Sequence, residues 1–227
     1  MKHHWTKTPH SDRLILFMNG WGMDTSLFTQ APPPVGWDVF MFYDYADLGQ
    51  PVALSGLRES YARIVLVAWS MGVWAAGETF AGHTGLFDRA VAINGTARPI
   101  DAQYGIDPDM YRATLDGFSA TTRDTFYRRM CHTPERLDRF LAAPPARSVE
   151  NQAAELKSIM AQTERDEPAR IYPFDEVIIG KQDRIMRYSN QVRFWTDRAP
   201  CRVLNAPHHP FFDVTWEELL HADTDGR

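Results

Sequence analysis

Ile64-Val65-Leu66-Val67-Ala68-Trp69-Ser70-Met71-Gly72-Val73-Trp74-Ala75-Ala76 passes from an apolar, β-prone run into a compact helix-like start. Continuous apolarity over Ile64 to Val67 predicts a strand buried on both faces rather than one. Ser70 stands at the seam, with Ala68 two residues before it and Gly72 two residues after. Small residues there permit a tight strand–turn–helix that exposes a serine, the small-x-Ser-x-Gly pattern of a nucleophile elbow. Alanine takes the place of the usual first glycine. On these five residues alone, a serine that merely caps the following helix fits as well.

Working outward, Leu14 to Met18, Trp37 to Phe42, Ala90 to Asn94, Val177 to Ile179 and Arg202 to Leu204 are further short apolar runs. Helical patterns follow several runs, at about 70–81, 188–197 and 213–221. That alternation predicts an α/β fold, a mostly parallel sheet flanked by helices. The rhythm stops between about 98 and 172, where helix signals replace strand signals. Thr133-Pro134-Glu135 orders a capping residue, a first-turn proline and an early carboxylate. Pro144-Pro145 is a stop, and Ser148 to Met160 reads as another helix. The expected organisation is a core of residues 1–97 and 172–227 with a helical cap inserted over 98–171.

The chain has 227 residues, enough for one substantial core with an insertion. A net charge of −5 argues against a general nucleic-acid binder, because phosphate binding wants a basic surface. Cys131 and Cys201 are too few for a disulfide framework, and reduced thiols are expected. The start, MKHHWTKTPHSDR, lacks the apolar region of a secretory signal, and no apolar run approaches the ~20 residues of a membrane span. A cytoplasmic monomer without membrane contact is expected. His3 and His4 would face opposite ways on a strand, so no metal site is expected there.

A nucleophilic serine needs a base, an orienting carboxylate and donors for the oxyanion. The elbow fold orders them serine, acid, histidine along the chain. Asp183 follows the run Val177-Ile178-Ile179, and the carboxyl ends of parallel strands share one rim. Leu204-Asn205-Ala206-Pro207-His208-His209-Pro210 places two histidines past the last run. An aspartate in a turn and a histidine in a loop are each common. Three matches in the required order, all at strand ends, predict Ser70, Asp183 and a histidine acting together. The first run ends in Asn19-Gly20-Trp21-Gly22-Met23-Asp24, whose glycines let backbone N–H groups turn toward a ligand. The expected oxyanion donors are the N–H groups of Trp21 and Met71.

These same segments resemble a known family. Asn19 to Asp24 (NGWGMD), Tyr43 to Leu48 (YDYADL), Ala68 to Ala76 (AWSMGVWAA) and Ala92 to Thr96 (AINGT) are similar to BioG proteins. Gly105 to Pro108, Arg128 to Cys131 and Asn190-Gln191 extend the likeness over most of the chain. BioG proteins are α/β-hydrolases similar in role to BioH, and the resemblance implies that fold here. It also implies hydrolysis of the methyl ester of a pimeloyl chain on acyl carrier protein, in biotin synthesis. Ser70 matches the family nucleophile and Asp183 the acid. His208 aligns best with the base, with Pro207 in place of a glycine and His209 in place of a phenylalanine. That departure keeps His209 in view as the other candidate. No metal or organic cofactor is implied.

An acidic carrier would be repelled by a negative enzyme unless a local basic surface steers it. Residues 123–139 hold five arginines, Arg123, Arg128, Arg129, Arg136 and Arg139, against three acids. They are the expected carrier contacts, with a solvated, ion-paired helix face as the plainer reading. Two other functions fit the serine: a small-molecule esterase or thioesterase, and a hydrolase-fold protein that only binds a partner.

Overall fold

Seven strands form one sheet: β1 (Lys2–Thr6), β2 (Arg13–Met18), β3 (Asp38–Tyr43), β4 (Arg63–Trp69), β5 (Arg89–Ile93), β6 (Glu176–Gly180) and β7 (Cys201–Leu204). They belong to a computed structural model that describes residues 1–48, 54, 56–164 and 168–221. Residues 49–53, 55, 165–167 and 222–227, which fall in the expected core and cap spans, lie outside the described residues. The helices are α1 (Leu27–Gln30), α2 (Leu57–Ser60), α3 (Met71–Phe80), α4 (Pro108–Asp116), α5 (Ala120–Cys131), α6 (Pro134–Leu141), α7 (Val149–Thr163), α8 (Tyr188–Trp195) and α9 (Trp216–Leu220). Among the described residues, none is long and apolar enough to cross a membrane.

The strand order is β1-β3-β2-β4-β5-β6-β7, and every neighbouring pair is parallel except β1 with β3. Side chains alternate faces along each strand. Leu14, Leu16, Ile64 and Leu66 enter the apolar layer on one face, while Ile15, Phe17, Val65 and Val67 enter the other. All eight are fully buried, which explains why the runs read as continuous rather than alternating. Each such side chain contributes about 1.5–3 kcal/mol by leaving water.

Strand β1 is absent from the apolar runs read in the sequence. It is an edge strand with mostly exposed side chains, held by antiparallel pairing from Lys2–Tyr43 to Thr6–Val39. Trp5 supplies its packing, stacked on Phe40 at 4.0 Å.

Between β5 and β6 the described chain forms α4, α5, α6 and α7. Their starts are written locally. Asp107 accepts the N–H groups of Asp109 and Met110, with Pro108 in the first turn. Ser119 and Thr122 form a capping box, and Thr133 caps α6 at the Arg136 N–H. Caps of this kind contribute about 1 kcal/mol each.

Candidate active site

The ends of β2, β4, β6 and β7 share one rim, and the residues singled out in the sequence stand just beyond them. Ser70 adopts φ 57° and ψ −122°, a conformation non-glycine residues rarely hold. Its N–H donates to the Ile93 carbonyl at 2.9 Å, and its carbonyl accepts from Val73 at 3.0 Å. Ser70 makes no side-chain cap bond to α3. The helix-cap alternative therefore fails on geometry. A Cβ at Gly72 would lie 2.2 Å from the Met18 carbonyl oxygen, so the second small position admits glycine alone. Ala68 is fully buried opposite Met18 and Ala92 in the neighbouring strands.

The freed Ser70 hydroxyl points to His208, whose Nε2 lies 2.9 Å from Oγ. His208 Nδ1 lies 2.8 Å from Asp183 Oδ2. Asp183 Oδ1 accepts the N–H groups of Ile185 at 2.8 Å and Met186 at 2.9 Å. Gln191, on α8, donates to Asp183 Oδ2 at 2.9 Å and to the Met186 carbonyl at 2.7 Å. The His208 carbonyl accepts from Trp69 Nε1 at 2.9 Å and from Asn94 Nδ2 at 3.0 Å. Asn94 also accepts the Gly180 N–H, so it ties the histidine loop to the end of β6. The roles of Gln191 and Asn94 were not read from the sequence, though both lie in segments that carry the family resemblance.

His209 is turned elsewhere. Its ring lies among Trp69, Phe140, Phe211 and Phe212, with centroids 4.7–5.5 Å away. Neither ring nitrogen has a partner among the described residues. Burial, aided by the His208 charge, pushes its pKa down to about 3. Of the two histidines, His208 reaches Ser70.

A chamber opens over Ser70, walled by Trp21, Met110, Tyr111, Phe126, Leu156 and Ile185, and reached also by Met71 and Arg129. The lining is largely apolar. Among the described residues, no hydrogen bond is donated by the backbone N–H of Trp21 or of Met71. Cys131 is buried and its thiol is pushed up to about 12 by burial, which leaves it protonated and unreactive.

The five arginines are not equivalent. Arg136 is paired bidentately with Asp213. Arg139 lies 4.0 Å over the Phe212 ring, and Arg123 lies 6.0 Å from the Tyr127 ring. Arg129 donates to the Arg184 carbonyl at 2.9 Å beside the chamber mouth. Arg128 is exposed. The Asp213 pairing sets Arg136 apart from a set expected to face a carrier together. Sequence spacing could not show it, because Asp213 lies 77 residues away.

A parallel sheet with a serine elbow, histidine and aspartate at its strand ends defines an α/β-hydrolase fold. The family described as pimeloyl-ACP methyl esterase BioG matches residues 1–219, and the chain belongs to that family. The crystal structure of selenomethionine BioG from Haemophilus influenzae superposes with a TM-score of 0.87 at 28% identity, covering 97% of this chain and 100% of that one. An uncharacterised protein of Haemophilus influenzae is 31% identical over 209 residues, which are 92% of this chain and 94% of that protein. The malonyl-[acyl-carrier protein] O-methyltransferase of Bacteroides fragilis is 36% identical over 187 residues, 82% of this chain. The chain spans 37% of that relative's length.

Proposed function

We propose that this chain is a cytoplasmic serine esterase that hydrolyses the methyl ester of pimeloyl-acyl carrier protein, in biotin synthesis. The observation that carries the reading is the unbroken line from Ser70 through His208 to Asp183, in a chain of the BioG family. His208 takes the Ser70 proton as Oγ attacks the ester carbonyl. Asp183 holds the imidazole tautomer and stabilises the charge it gains. The N–H groups of Trp21 and Met71 receive the oxyanion, and one such donor contributes about 2.7–4 kcal/mol to the transition state. His208 returns the proton to the departing methoxide, which leaves as methanol. Water, activated by His208, then splits the acyl-serine, giving a free pimeloyl carboxylate and restoring Ser70.

The apolar chamber suits the methylene chain. The insertion over 98–171 is proposed as its cover, and the segments 1–97 and 172–227 as the core. Arg123, Arg128, Arg129 and Arg139 are proposed to meet the acidic carrier, with Arg136 serving through its bond to Asp213. The two cysteines are unpaired, in keeping with a reducing compartment.

A second reading is methyl transfer, from the name of the Bacteroides fragilis relative. That name describes a protein of which 37% matches this chain, so it does not bear on the matched part in particular. The test is release of methanol and free carboxylate from methyl pimeloyl-carrier protein. Ser70→Ala is expected to lower kcat by about 10⁴-fold or more, with fluorophosphonate labelling lost. Full turnover by Ser70→Ala, or methyl transfer to malonyl-carrier protein without hydrolysis, would overturn the reading. An intact wild type that neither turns over nor labels would mark a binding protein.

A further inference from the structure

Trp21 and Gly22 stand in the loop after β2, but much of what holds them comes from the insertion. Gly22 adopts φ 74°, and a Cβ there would sit 3.1 Å from the Gln152 amide nitrogen. Gln152 Nε2 donates to the Gly22 carbonyl at 2.9 Å. Glu155 Oε2 accepts the Gly22 N–H at 3.1 Å. The Trp21 indole N–H donates to the Gln152 carbonyl at 3.0 Å. Both backbone groups of Gly22 and the side chain of Trp21 are thus bound by one face of α7, through residues at i and i+3.

The gripping side chains are themselves fixed. Glu155 is fully buried; its Oε1 accepts the Tyr45 N–H at 2.8 Å, and its Oε2 accepts from Arg147 Nη1 at 2.6 Å. Arg147 lies 3.3 Å from Asp44 and donates to Asn151 at 2.8 Å. Burial pushes the Glu155 carboxyl up from its ordinary value, and Arg147 with the two N–H donors pulls it back. A buried carboxylate needs such partners, since an unpaired one would be strongly disfavoured. Every neighbour at its oxygens is a donor, which commits Glu155 to the acceptor role that Gly22 requires.

We propose that Gln152 and Glu155 are positioning residues for the oxyanion loop, which makes α7 a fixed part of the reaction site rather than part of a moving cover. The proposal rests on the esterase reading. It deepens that reading by assigning the placement of the Trp21 N–H to side chains more than 130 residues further along the chain. Loops set only by their own turns relax by fractions of an ångström. A displacement of that order at an oxyanion donor acts on the transition state rather than on substrate binding.

The test uses Gln152→Met, which keeps the side-chain length and removes the donor, and Tyr127→Phe, which removes the other group Gln152 Nε2 touches. Turnover of p-nitrophenyl butyrate is counted per fluorophosphonate-titrated site. Affinity for an alkyl boronic acid, a mimic of the tetrahedral state, is measured beside it. Gln152→Met is expected to lower kcat about 10–100-fold with KM within about twofold, and to weaken the boronic acid in parallel. Tyr127→Phe is expected to leave both near wild type. Should Gln152→Met fold poorly, Glu155→Gln reads the same loop from its N–H side. An unchanged kcat in the folded variant, or a lower kcat with undiminished boronic acid affinity, would overturn the positioning role. A wild type that hydrolyses neither this ester nor methyl pimeloyl-carrier protein would overturn the esterase reading and this inference with it.

Discussion

Helices α4 and α7 both wall the chamber over Ser70, yet they are held by different physics. Helix α7 turns Gln152, Glu155, Leu156 and Ile159 inward; Glu155 binds backbone groups of the core and pairs with Arg147, which in turn lies against Asp44. Helix α4 buries Tyr111 alone, while Met110, which also lines the chamber, remains 40% exposed. It is tied to α7 by the Tyr111 hydroxyl donating to the Leu156 carbonyl at 3.0 Å, and Arg112 lies 3.7 Å from Glu164 at the end of α7. The loop entering α4 is anchored, because Asn190 donates to the carbonyls of Ala102 and Gly105. One wall is locked and the other hangs from an anchored entry. Few buried apolar contacts mark the segments that open first, so access to Ser70 is expected on the α4 side.

The largest effect that would break this comparison lies at Glu155. Glu155→Ala removes a partner of buried Arg147 and the acceptor of the Gly22 and Tyr45 N–H groups, an expected loss of about 3–5 kcal/mol. Urea unfolding at neutral pH measures it. A loss below about 1 kcal/mol would show that α7 is held by its apolar residues Leu156 and Ile159 rather than by its polar bonds.

Helices α5 and α6 meet the core in a third way, around the neutral His209 ring. The backbone N–H of His209 donates to the Met130 carbonyl at 3.2 Å, and Phe140 packs edge-on against the ring. The folded pKa of about 3 lies below the ordinary value of 6.5, so the unfolded chain binds the extra proton as pH falls. The stability is fully present above pH 6.5 and declines as the pH drops toward 3. Between pH 6.5 and pH 5 this group alone removes about 2 kcal/mol. His209→Phe is expected to take that slope away, read as the difference between the two proteins' urea midpoints at each pH. Identical slopes would place the proton acceptance elsewhere.

How much of this was legible in the chain differs between the two walls for a physical reason. Strands buried on both faces announce themselves as apolar runs, and an elbow announces itself through the small residues its turn demands. Ser70, Asp183 and a histidine from the pair His208-His209 therefore followed from local pattern and chain order. The choice between the two histidines did not, because adjacent residues share every local signal and only the surrounding rings separate them. Glu155 and Gln152 read as ordinary polar residues of a helix whose start was visible at Ser148. Their burial depends on Gly22 and Tyr45, more than 100 residues away, and no periodicity encodes that. Strand β1 was hidden for the opposite reason, since pairing rather than apolar burial holds it.

The smallest effect sharpens the comparison most directly. Tyr111→Phe keeps the ring in its place and deletes the hydroxyl that links α4 to Leu156. The expected loss of global stability is about 1 kcal/mol, since the freed acceptor is a single carbonyl. Amide exchange then distinguishes local from global loosening. If α4 is the wall that opens, its amides should exchange faster in the variant while those of α7 keep their protection. Equal acceleration in both helices would mean that they open as one body. In that case the Gln152–Gly22 and Glu155–Gly22 bonds would have to break each time the chamber is entered, and α7 would lose the fixed role that sets it apart from α4.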